Sequence, residues 1–288
     1  MKLAEFYRNG HRGLSFELFP PKTESGRQAL YEHVDRLMAF QPDYFTCTYG
    51  AGGSTQGTTL EVLSEVRRRT QLPVASHLTC VGATCDEIRE YLKEAESRET
   101  DFIVALRGDP PKGETTFQAV DGGLQYANEL VELIRAEKKP FGIAVAGYPE
   151  VHQEAVDAAS DLANLRRKVD AGADIVVTQL FYDNADFYRF RDACDLAGIR
   201  VPIVPGLLPI TNLQQALRIT SMCKAKLPPA LVARLEEKPE DADWQFEIGV
   251  EHARQQFLDL MDNDAAGMHL YVLNKSQAAE KMLEGYTR

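Results

Sequence analysis

Eight short apolar segments alternate with amphipathic segments along this chain, and this alternation limits its possible folds more than any other feature. The apolar segments are rich in β-branched and aromatic residues and lie at 14–20, 44–50, 73–80, 102–108, 142–149, 174–183, 202–209 and 267–274. The amphipathic segments have helical periodicity and lie at 25–40, 57–71, 85–99, 121–138, 154–171, 185–197, 211–224 and 275–286. Such a repeat predicts parallel strands that are joined by helical crossovers.

The number of strands favours a closed barrel over an open sheet. Segment 175–177 is apolar without alternation, as expected for a parallel strand that is buried on both faces. A doubly wound open sheet is the alternative, but it commonly has about five or six strands, and no G-x-G-x-x-G motif follows the first strand. The 288 residues fit one barrel, which usually needs about 250. We therefore predict an α/β fold, a (β/α)8 TIM barrel that forms a single domain over residues 1–288.

The connection between the seventh and eighth strands is irregular. It runs from Pro209 to Gly267, which is too long for one crossover helix, and it contains a second periodic segment at 243–262. We predict extra helices there. The acidic, proline-containing segment 236–243 predicts an exposed loop.

Composition and charge argue against several classes of protein. The formal net charge of -11 opposes nucleic-acid binding, which depends on clustered Lys and Arg. Residues 1–13 contain no apolar leader core, and no segment approaches the roughly 18 uninterrupted apolar residues of a membrane span. The five cysteines include no C-x-x-C pair, so neither a disulfide framework nor a metal site is predicted. We expect a cytoplasmic homo-oligomer without nucleic-acid or membrane partners.

Polar residues collect at the ends of the predicted strands, where barrels of this kind carry their active sites. Glu17 stands between Phe16 and Leu18 in the first strand. A carboxylate there is costly to bury unless it is paired, hydrogen-bonded or kept protonated, and a raised pKa would suit a general acid. The alternative is a glutamate that faces solvent from a half-exposed strand. The other strand ends contribute Thr48, Tyr49, His77, Arg107, Asp109, Tyr148, Gln179 and Tyr271.

Some of these residues have a structural interpretation as well as a functional one. Arg107 and Asp109 flank Gly108 ahead of two prolines, and they either contact a ligand or pair with each other. His77 is either a hydrogen-bonded structural residue or a ligand contact. The neutral side chain of Gln179 indicates hydrogen bonding to an organic ligand more than metal binding.

Two further segments leave the same choice open. Asp161, Asn164 and Lys168 form a narrow polar stripe beside the apolar stripe of a predicted helix. This stripe is either a solvated flank or a contact for a polar cofactor at the barrel rim. The glycine-rich loop at 50–55 precedes a helix and is either a phosphate-binding loop or a plain connection, and it lacks the P-loop lysine.

Taken together, several segments resemble the bacterial methylenetetrahydrofolate reductases. They are FELFPPKT (16–23), VASHLTC (74–80), VALRGDPP (104–111), AGYPEVH (146–152), NLRRKVDAGAD (164–174), TQLFYD (178–183) and PGLLPITN (205–212). The resemblance implies a (β/α)8 barrel with non-covalent FAD, which NAD(P)H and the folate use in turn by a ping-pong mechanism. The implied reaction reduces 5,10-methylenetetrahydrofolate to 5-methyltetrahydrofolate, a step of one-carbon metabolism and methionine biosynthesis. It further implies the catalytic domain alone, without the regulatory domain of eukaryotic relatives.

The resemblance also implies roles for single residues. Glu17 is the acid that helps to open the methylene bridge of the folate, and Asp109 stabilises the resulting cationic iminium. Gln179 hydrogen-bonds the folate, with Tyr271 and Lys275 as further substrate-binding residues. The implied FAD-binding residues are Thr48, Tyr49, His77, Leu106, Arg107, Gly108, Asp109, Ala146, Tyr148, His152, Asp161, Asn164, Arg167 and Lys168.

Departures from the family pattern leave alternatives open. Ile219 stands where some members have an aromatic residue over the nicotinamide or pterin, and Lys275 stands where an arginine can occur. Some members do not use NAD(P)H directly, so a non-nicotinamide electron donor or oxidation of methyltetrahydrofolate is the alternative. A binding barrel without turnover should have lost Glu17 or Asp109, and both are present. A Schiff-base aldolase needs a lysine in a strand, and no predicted strand core has one.

Overall fold

One parallel sheet runs through the protein, whose computed structural model describes residues 2–48, 56–110 and 117–286. Each pair of neighbouring strands is parallel. The strands of these residues are β1 Gly13–Leu18, β2 Tyr44–Cys47, β3 Val74–Thr79, β4 Phe102–Leu106, β5 Gly142–Gly147, β6 Ile175–Thr178, β7 Ile203–Val204, β8 Gly206–Leu207 and β9 Gly267–Tyr271.

The sheet closes into a barrel because its order, β7-β6-β5-β4-β3-β2-β1-β9-β8, begins and ends on adjacent pieces of chain. β7 pairs with β6, β8 pairs with β9, and only Pro205 separates β7 from β8. Pro205 has no N–H and so interrupts the ladder, whereas its carbonyl accepts a hydrogen bond from the N–H of His269 at 2.9 Å. The predicted barrel is confirmed, with the strand predicted at 202–209 divided into two short pieces.

Helices follow the strands as the alternation predicted. In the described part of the chain they are α1 Glu24–Leu37, α2 Gln56–Thr70, α3 Cys85–Ser97, α4 Ala127–Ala136, α5 Ala158–Asp170, α6 Asn184–Leu196, α7 Leu213–Cys223, α8 Pro229–Glu236, α9 Ala242–Asp262 and α10 Gln277–Leu283. Two short 3-10 helices, Leu3–Tyr7 and Met38–Phe40, accompany them. None of the described helices is long and apolar enough to cross a membrane.

Side-chain caps explain where many helices begin. At each of these helices the residue before the first turn accepts a hydrogen bond from a backbone N–H, which satisfies one of the free donors there. The capping residues are Thr23, Thr84, Asp157, Asp183, Asn212 and Asp241. The helix predicted at 121–138 begins only at Ala127, because Gly122 has φ +72° and forms a turn. The extra helices predicted between strands seven and eight are confirmed as α8 and α9.

The amino-terminal end of the barrel is filled by apolar side chains. Leu3, Phe6 and Tyr7 from the first 3-10 helix pack against Tyr44 and Phe102 of the barrel strands. The hydroxyl groups of Tyr7 and Tyr44 lie 2.7 Å apart in a hydrogen bond. This plug closes one end of the barrel, so a ligand has access only from the carboxyl ends of the strands.

Gly206 allows the barrel to close across the interrupted strand. Its N–H donates to Oγ1 of Thr178 at 2.9 Å, and the Tyr271 hydroxyl donates to the Thr178 carbonyl at 2.7 Å. A Cβ atom on Gly206 would lie 2.3 Å from that carbonyl oxygen and 2.7 Å from the Tyr271 hydroxyl. Neither a backbone carbonyl nor a fully hydrogen-bonded tyrosine can move aside cheaply.

We expect Gly206→Ala to lower the free energy of unfolding by about 1–3 kcal/mol or more, since the added methyl group overpacks the closure. Urea denaturation measures this change. Gly57→Ala is the matched control, because Gly57 lies in α2 with nothing within 4 Å of an added Cβ. It should change stability by less than about 1 kcal/mol, in the stabilising direction. Equal stability of Gly206→Ala and wild type would contradict the proposed steric limit.

Candidate active site

A large cavity of about 1960 Å³ opens at the carboxyl ends of the strands. This volume exceeds the roughly 300–1,000 Å³ that encloses one drug-sized ligand, so there is room for more than one reactant. The cavity is lined by most of the predicted site residues, namely Glu17, Thr48, His77, Leu106, Arg107, Gly108, Asp109, Ala146, Tyr148, His152, Asp161, Asn164, Arg167, Lys168, Gln179 and Tyr271.

Two predicted site residues are not among those lining residues. Lys275 follows β9 as an exposed side chain and does not line the cavity. Tyr49 and the glycine-rich loop at 50–55 lie outside the described residues. Ile219 of α7 does line the cavity, as an aliphatic side chain without a ring.

Glu17 lies at the floor of the cavity with 7% of its surface exposed. The Glu17 side chain points from β1 into the barrel. The alternative of a glutamate that faces solvent from a half-exposed strand is therefore wrong. One carboxylate oxygen, Oε2, is 3.3 Å from Nε2 of His77 and 3.5 Å from Nε2 of His269. The carboxylate is therefore held between two imidazoles that come from β3 and β9.

Of the alternatives for Glu17, the structure shows the paired carboxylate and not the raised pKa of a protonated acid. Burial alone raises the pKa of this carboxyl group, but His77 and His269 together outweigh burial and lower its pKa to about 2. These two histidines come from other strands, so the apolar sequence neighbours of Glu17 do not reveal them. Glu17 is thus ionised at neutral pH, and it has to acquire a proton before it can act as an acid.

His269 was missed by the sequence analysis although it lines the cavity and contacts Glu17. Its Nδ1 forms a hydrogen bond of 2.8 Å with Oγ of Ser15, which fixes the orientation of the ring. The sequence does contain a signal for His269. It stands two residues before Tyr271 in the same strand, and residues two apart in a strand share a face.

Arg107 forms a bidentate ion pair at the edge of the cavity, with a residue that the sequence did not indicate. Its Nη1 and Nη2 atoms lie 2.6 and 2.7 Å from the two carboxylate oxygens of Glu154. The predicted alternative of a pair with Asp109 is therefore wrong. Glu154, in the loop between β5 and α5, also lines the cavity and was not predicted. The guanidinium carbon of Arg107 lies 5.1 Å from the centre of the Phe117 ring, close enough for a cation–π contact.

The polar stripe on α5 faces the cavity and is not a solvated flank. Oδ2 of Asp161 accepts a hydrogen bond from the backbone N–H of His152 at 2.9 Å. Nζ of Lys168 donates to the carbonyl of Ala146 at 2.5 Å. Burial lowers the pKa of Lys168 to about 8, and the nearby Asp161 offsets this shift only in part. An anion that entered the cavity would therefore be attracted to Lys168.

Gly108 and Gln179 shape the middle of the cavity wall. Gly108 has φ +89°, and a Cβ there would lie 2.8 Å from Cγ1 of Val81, so only glycine fits this turn without strain. Oε1 of Gln179 accepts the backbone N–H of Leu180 at 2.9 Å, which leaves its amide N–H groups for another partner. Within the described ranges, no group of three or more His, Cys, Asp or Glu residues is placed to hold a metal ion.

Comparison with known proteins identifies the family. The family model described as methylenetetrahydrofolate reductase matches residues 2–286. The 5,10-methylenetetrahydrofolate reductase of Escherichia coli is 38% identical over 268 residues, which cover 93% of this chain and 88% of that protein. The chain belongs to the methylenetetrahydrofolate reductase family.

Other relatives of the reductase family differ in length. Methylenetetrahydrofolate reductase (NADH) 1 of Arabidopsis thaliana is 40% identical over 288 residues, which cover 96% of this chain and 49% of that protein. The chain thus spans about half the length of the plant reductases that it matches. A protein from Clostridium thermocellum that binds two copies of 5-methyl-5,6,7,8-tetrahydrofolic acid has a TM-score of 0.66 and 14% identity, covering 98% of this chain and 96% of that one. That likeness supports the barrel fold alone.

The cavity of this reductase-family chain carries polar groups that suit an anionic organic ligand. Hydroxyl groups of Thr46 and Thr79 are buried at the cavity wall, and neither has a hydrogen-bond partner in the protein. A buried hydroxyl without a partner is costly, so these two groups favour a ligand that can pair with them. Arg107, Arg167 and Lys168 supply positive charge on one side of the same cavity.

We expect Glu17→Gln to change how stability depends on pH. A carboxyl group whose pKa is lowered by folding stabilises the folded state above its unfolded-state pKa of about 4.3, and this stabilisation is lost as the pH falls towards 2. Urea unfolding at about pH 6, 4 and 3 should show wild type losing roughly 2 kcal/mol relative to Glu17→Gln between the first and the last of these pH values. A difference between the two proteins that stays constant over this range would contradict the lowered pKa.

Lys168→Met should stabilise the protein in the absence of ligand at neutral pH, by roughly 1–3 kcal/mol. The pKa of Lys168 is lowered, so the unfolded chain binds more protons than the folded chain between about pH 8 and 10. The stability of wild type should therefore rise with pH over that range, and that of Lys168→Met should not. Denaturant unfolding measures both proteins, with the exposed Lys226→Met as control. Equal pH profiles for wild type and Lys168→Met would refute the assignment.

Proposed function

We propose that this protein is a flavin-dependent oxidoreductase that reduces 5,10-methylenetetrahydrofolate to 5-methyltetrahydrofolate. The observation that carries the proposal is the buried carboxylate of Glu17 between two imidazoles, at the floor of a cavity large enough for a cofactor and a substrate. Relatives that match over most of this chain are named for this reaction. The family resemblance of residues 16–23 also assigns the acid of this reaction to Glu17.

The proposed cofactor is FAD, bound along the side of the cavity formed by β4, β5 and α5. When bound, FAD supplies hydride transfer, which no side chain of the protein can perform. Arg107 and Lys168 attract its phosphates, and Tyr148 offers an aromatic face beside His152, whose ring centre is 4.6 Å away. Gly108 lets the cofactor approach the backbone closely, because it has no side chain in the way.

Glu17 is proposed to provide the proton that opens the methylene bridge. Since the carboxyl group is ionised in the free cavity, the proton must come from a neighbouring donor. His77 and His269 are the histidines whose Nε2 atoms lie within 3.5 Å of it. Binding of the folate would add burial around Glu17, which favours the neutral acid, and protonation of the amine nitrogen then releases the reactive iminium.

Asp109 and Gln179 are proposed to hold the pterin ring of the folate. Asp109 is an exposed carboxylate at the cavity mouth, where its charge would stabilise the cationic iminium. Gln179 would release its bond to the backbone of Leu180 and turn towards the ring. Tyr271 has its hydroxyl hydrogen bonded to Thr178, so its role towards substrate would be packing of the ring against the folate.

We propose NADH or NADPH as the electron donor in a ping-pong reaction. Plant relatives are named as NADH enzymes, which favours NADH. Ile219 offers no ring for stacking on a nicotinamide, so a non-nicotinamide donor is the second candidate. The role of Lys275 at the folate, the cytoplasmic location and the homo-oligomeric state stay predictions from the sequence.

The first test is whether the purified protein binds FAD and whether the folate reoxidises the reduced flavin. We expect a yellow protein whose reduced flavin is reoxidised by 5,10-methylenetetrahydrofolate in an anaerobic stopped-flow experiment. Glu17→Gln should keep reduction by the donor within about threefold of wild type and slow reoxidation by the folate by 10²-fold or more, on the order of a lost general acid.

Several results would count against this proposal. Protein that neither retains nor takes up FAD would exclude the flavin reaction. Equal slowing of both half-reactions in Glu17→Gln would exclude the acid role of Glu17, since that role concerns only the folate. Reduction by NADH, NADPH and a low-potential donor, compared under the same conditions, identifies the electron donor.

A further inference from the structure

The ion pair of Arg107 with Glu154 occupies the place where an anionic ligand would be held. Arg107 follows β4 and Glu154 lies in the loop between β5 and α5, and both side chains line the cavity. Both oxygens of Glu154 are used by the guanidinium group, at 2.6 and 2.7 Å. A bidentate carboxylate uses the same fork of N–H donors that a phosphate group would use.

The side of the cavity that contains Arg107 and Glu154 carries equal positive and negative charge. A phosphate that binds there would be favoured if one carboxylate moved away. Among the residues that the structure describes, the charged side chains that line this side are Arg107, Arg167, Lys168, Asp109, Glu154 and Asp161, three of each sign. A neutral set of charges attracts an anion less strongly than a set with a positive surplus. Removing one carboxylate from the set creates that surplus.

Glu154 is the carboxylate whose withdrawal costs least. Asp161 is held within α5 and accepts the backbone N–H of His152. Glu154 has 40% of its side chain exposed, beside Val156, which is 93% exposed at the tip of the loop. Its release would let the carboxylate return to water, and a partly exposed ion pair stabilises the protein only slightly.

We propose that Glu154 is a placeholder for the cofactor phosphates, which displace it from Arg107 when the cofactor binds. The pair with Glu154 keeps the guanidinium group oriented and balances its charge. When the cofactor binds, Arg107 exchanges the carboxylate of Glu154 for a phosphate, and the original ion pair is lost. Glu154 thereby competes with the phosphates and lowers the affinity of the protein for the cofactor. This inference rests on the proposed binding of FAD.

Glu154→Gln tests the exchange, because glutamine keeps the size of the side chain and removes its charge. Equilibrium binding of FAD and of riboflavin, which has no phosphate, is measured by flavin fluorescence for wild type and variant. We expect FAD to bind on the order of fivefold more tightly to Glu154→Gln, as when an exposed ion pair no longer competes. Riboflavin should bind equally to both proteins.

The matched control is Glu251→Gln. Glu251 forms a similar ion pair with Arg234, at 2.8 Å and with 47% of its side chain exposed, and neither residue lines the cavity. Its FAD affinity should equal that of wild type. Thermal unfolding of both variants checks that each is folded at the temperature of the titration.

The outcomes separate this inference from the proposed function. If Glu154→Gln binds FAD with the same affinity as wild type, Glu154 does not compete with the phosphate. If the variant binds FAD more weakly, Glu154 instead orients Arg107 for the phosphate. Either result would overturn the inference. Equal tightening of FAD and riboflavin would also overturn it, since the effect would not depend on phosphate. Wild type that binds no FAD would reject the proposed function itself.

Discussion

The site depends on the closure of the parallel strand ladder across Pro205. Closure places the carboxyl ends of all strands around one rim, so that β1, β3 and β9 bring Glu17, His77 and His269 to the same floor. The apolar plug beneath them closes the other end of the barrel. The pairing of β9 with β1 in the same ladder sets His269 opposite Ser15 and so brings the second imidazole to the carboxylate. The strand pairing that builds the barrel therefore also lowers the pKa of Glu17.

Charged side chains are paired with neighbouring groups of the protein within the cavity, and a ligand that binds there has to compete with these pairs. Glu17 lies between two imidazoles and Arg107 pairs with Glu154, whereas Lys168 donates to the carbonyl of Ala146 near the carboxylate of Asp161. Ligand binding in such a site exchanges partners and does not simply add contacts. The buried hydroxyl groups of Thr46 and Thr79 have no hydrogen-bond partner in the protein, and a polar ligand in the cavity would supply one.

Much of the fold was predictable because it depends on local patterns. Strand and helix segments follow from periodicity within a window of a few residues, and the eight strands were found in this way. Two local details were wrong for local reasons, since Pro205 divides the seventh strand and Gly122 delays the start of α4. The helices α8 and α9 were expected from the length of their connection, although the bounds of α8 were not.

The sequence by itself determined which residues lie at the strand ends, because period and order along the chain are enough to place them on one rim of a barrel. Only the tertiary structure decided their partners and charges. The pKa of Glu17 depends on His269, which is remote in sequence, and Arg107 pairs with Glu154 of the next loop and not with its neighbour Asp109. The physical reason is that electrostatic interactions depend on distance in space and on burial, which the order of residues along a chain does not contain.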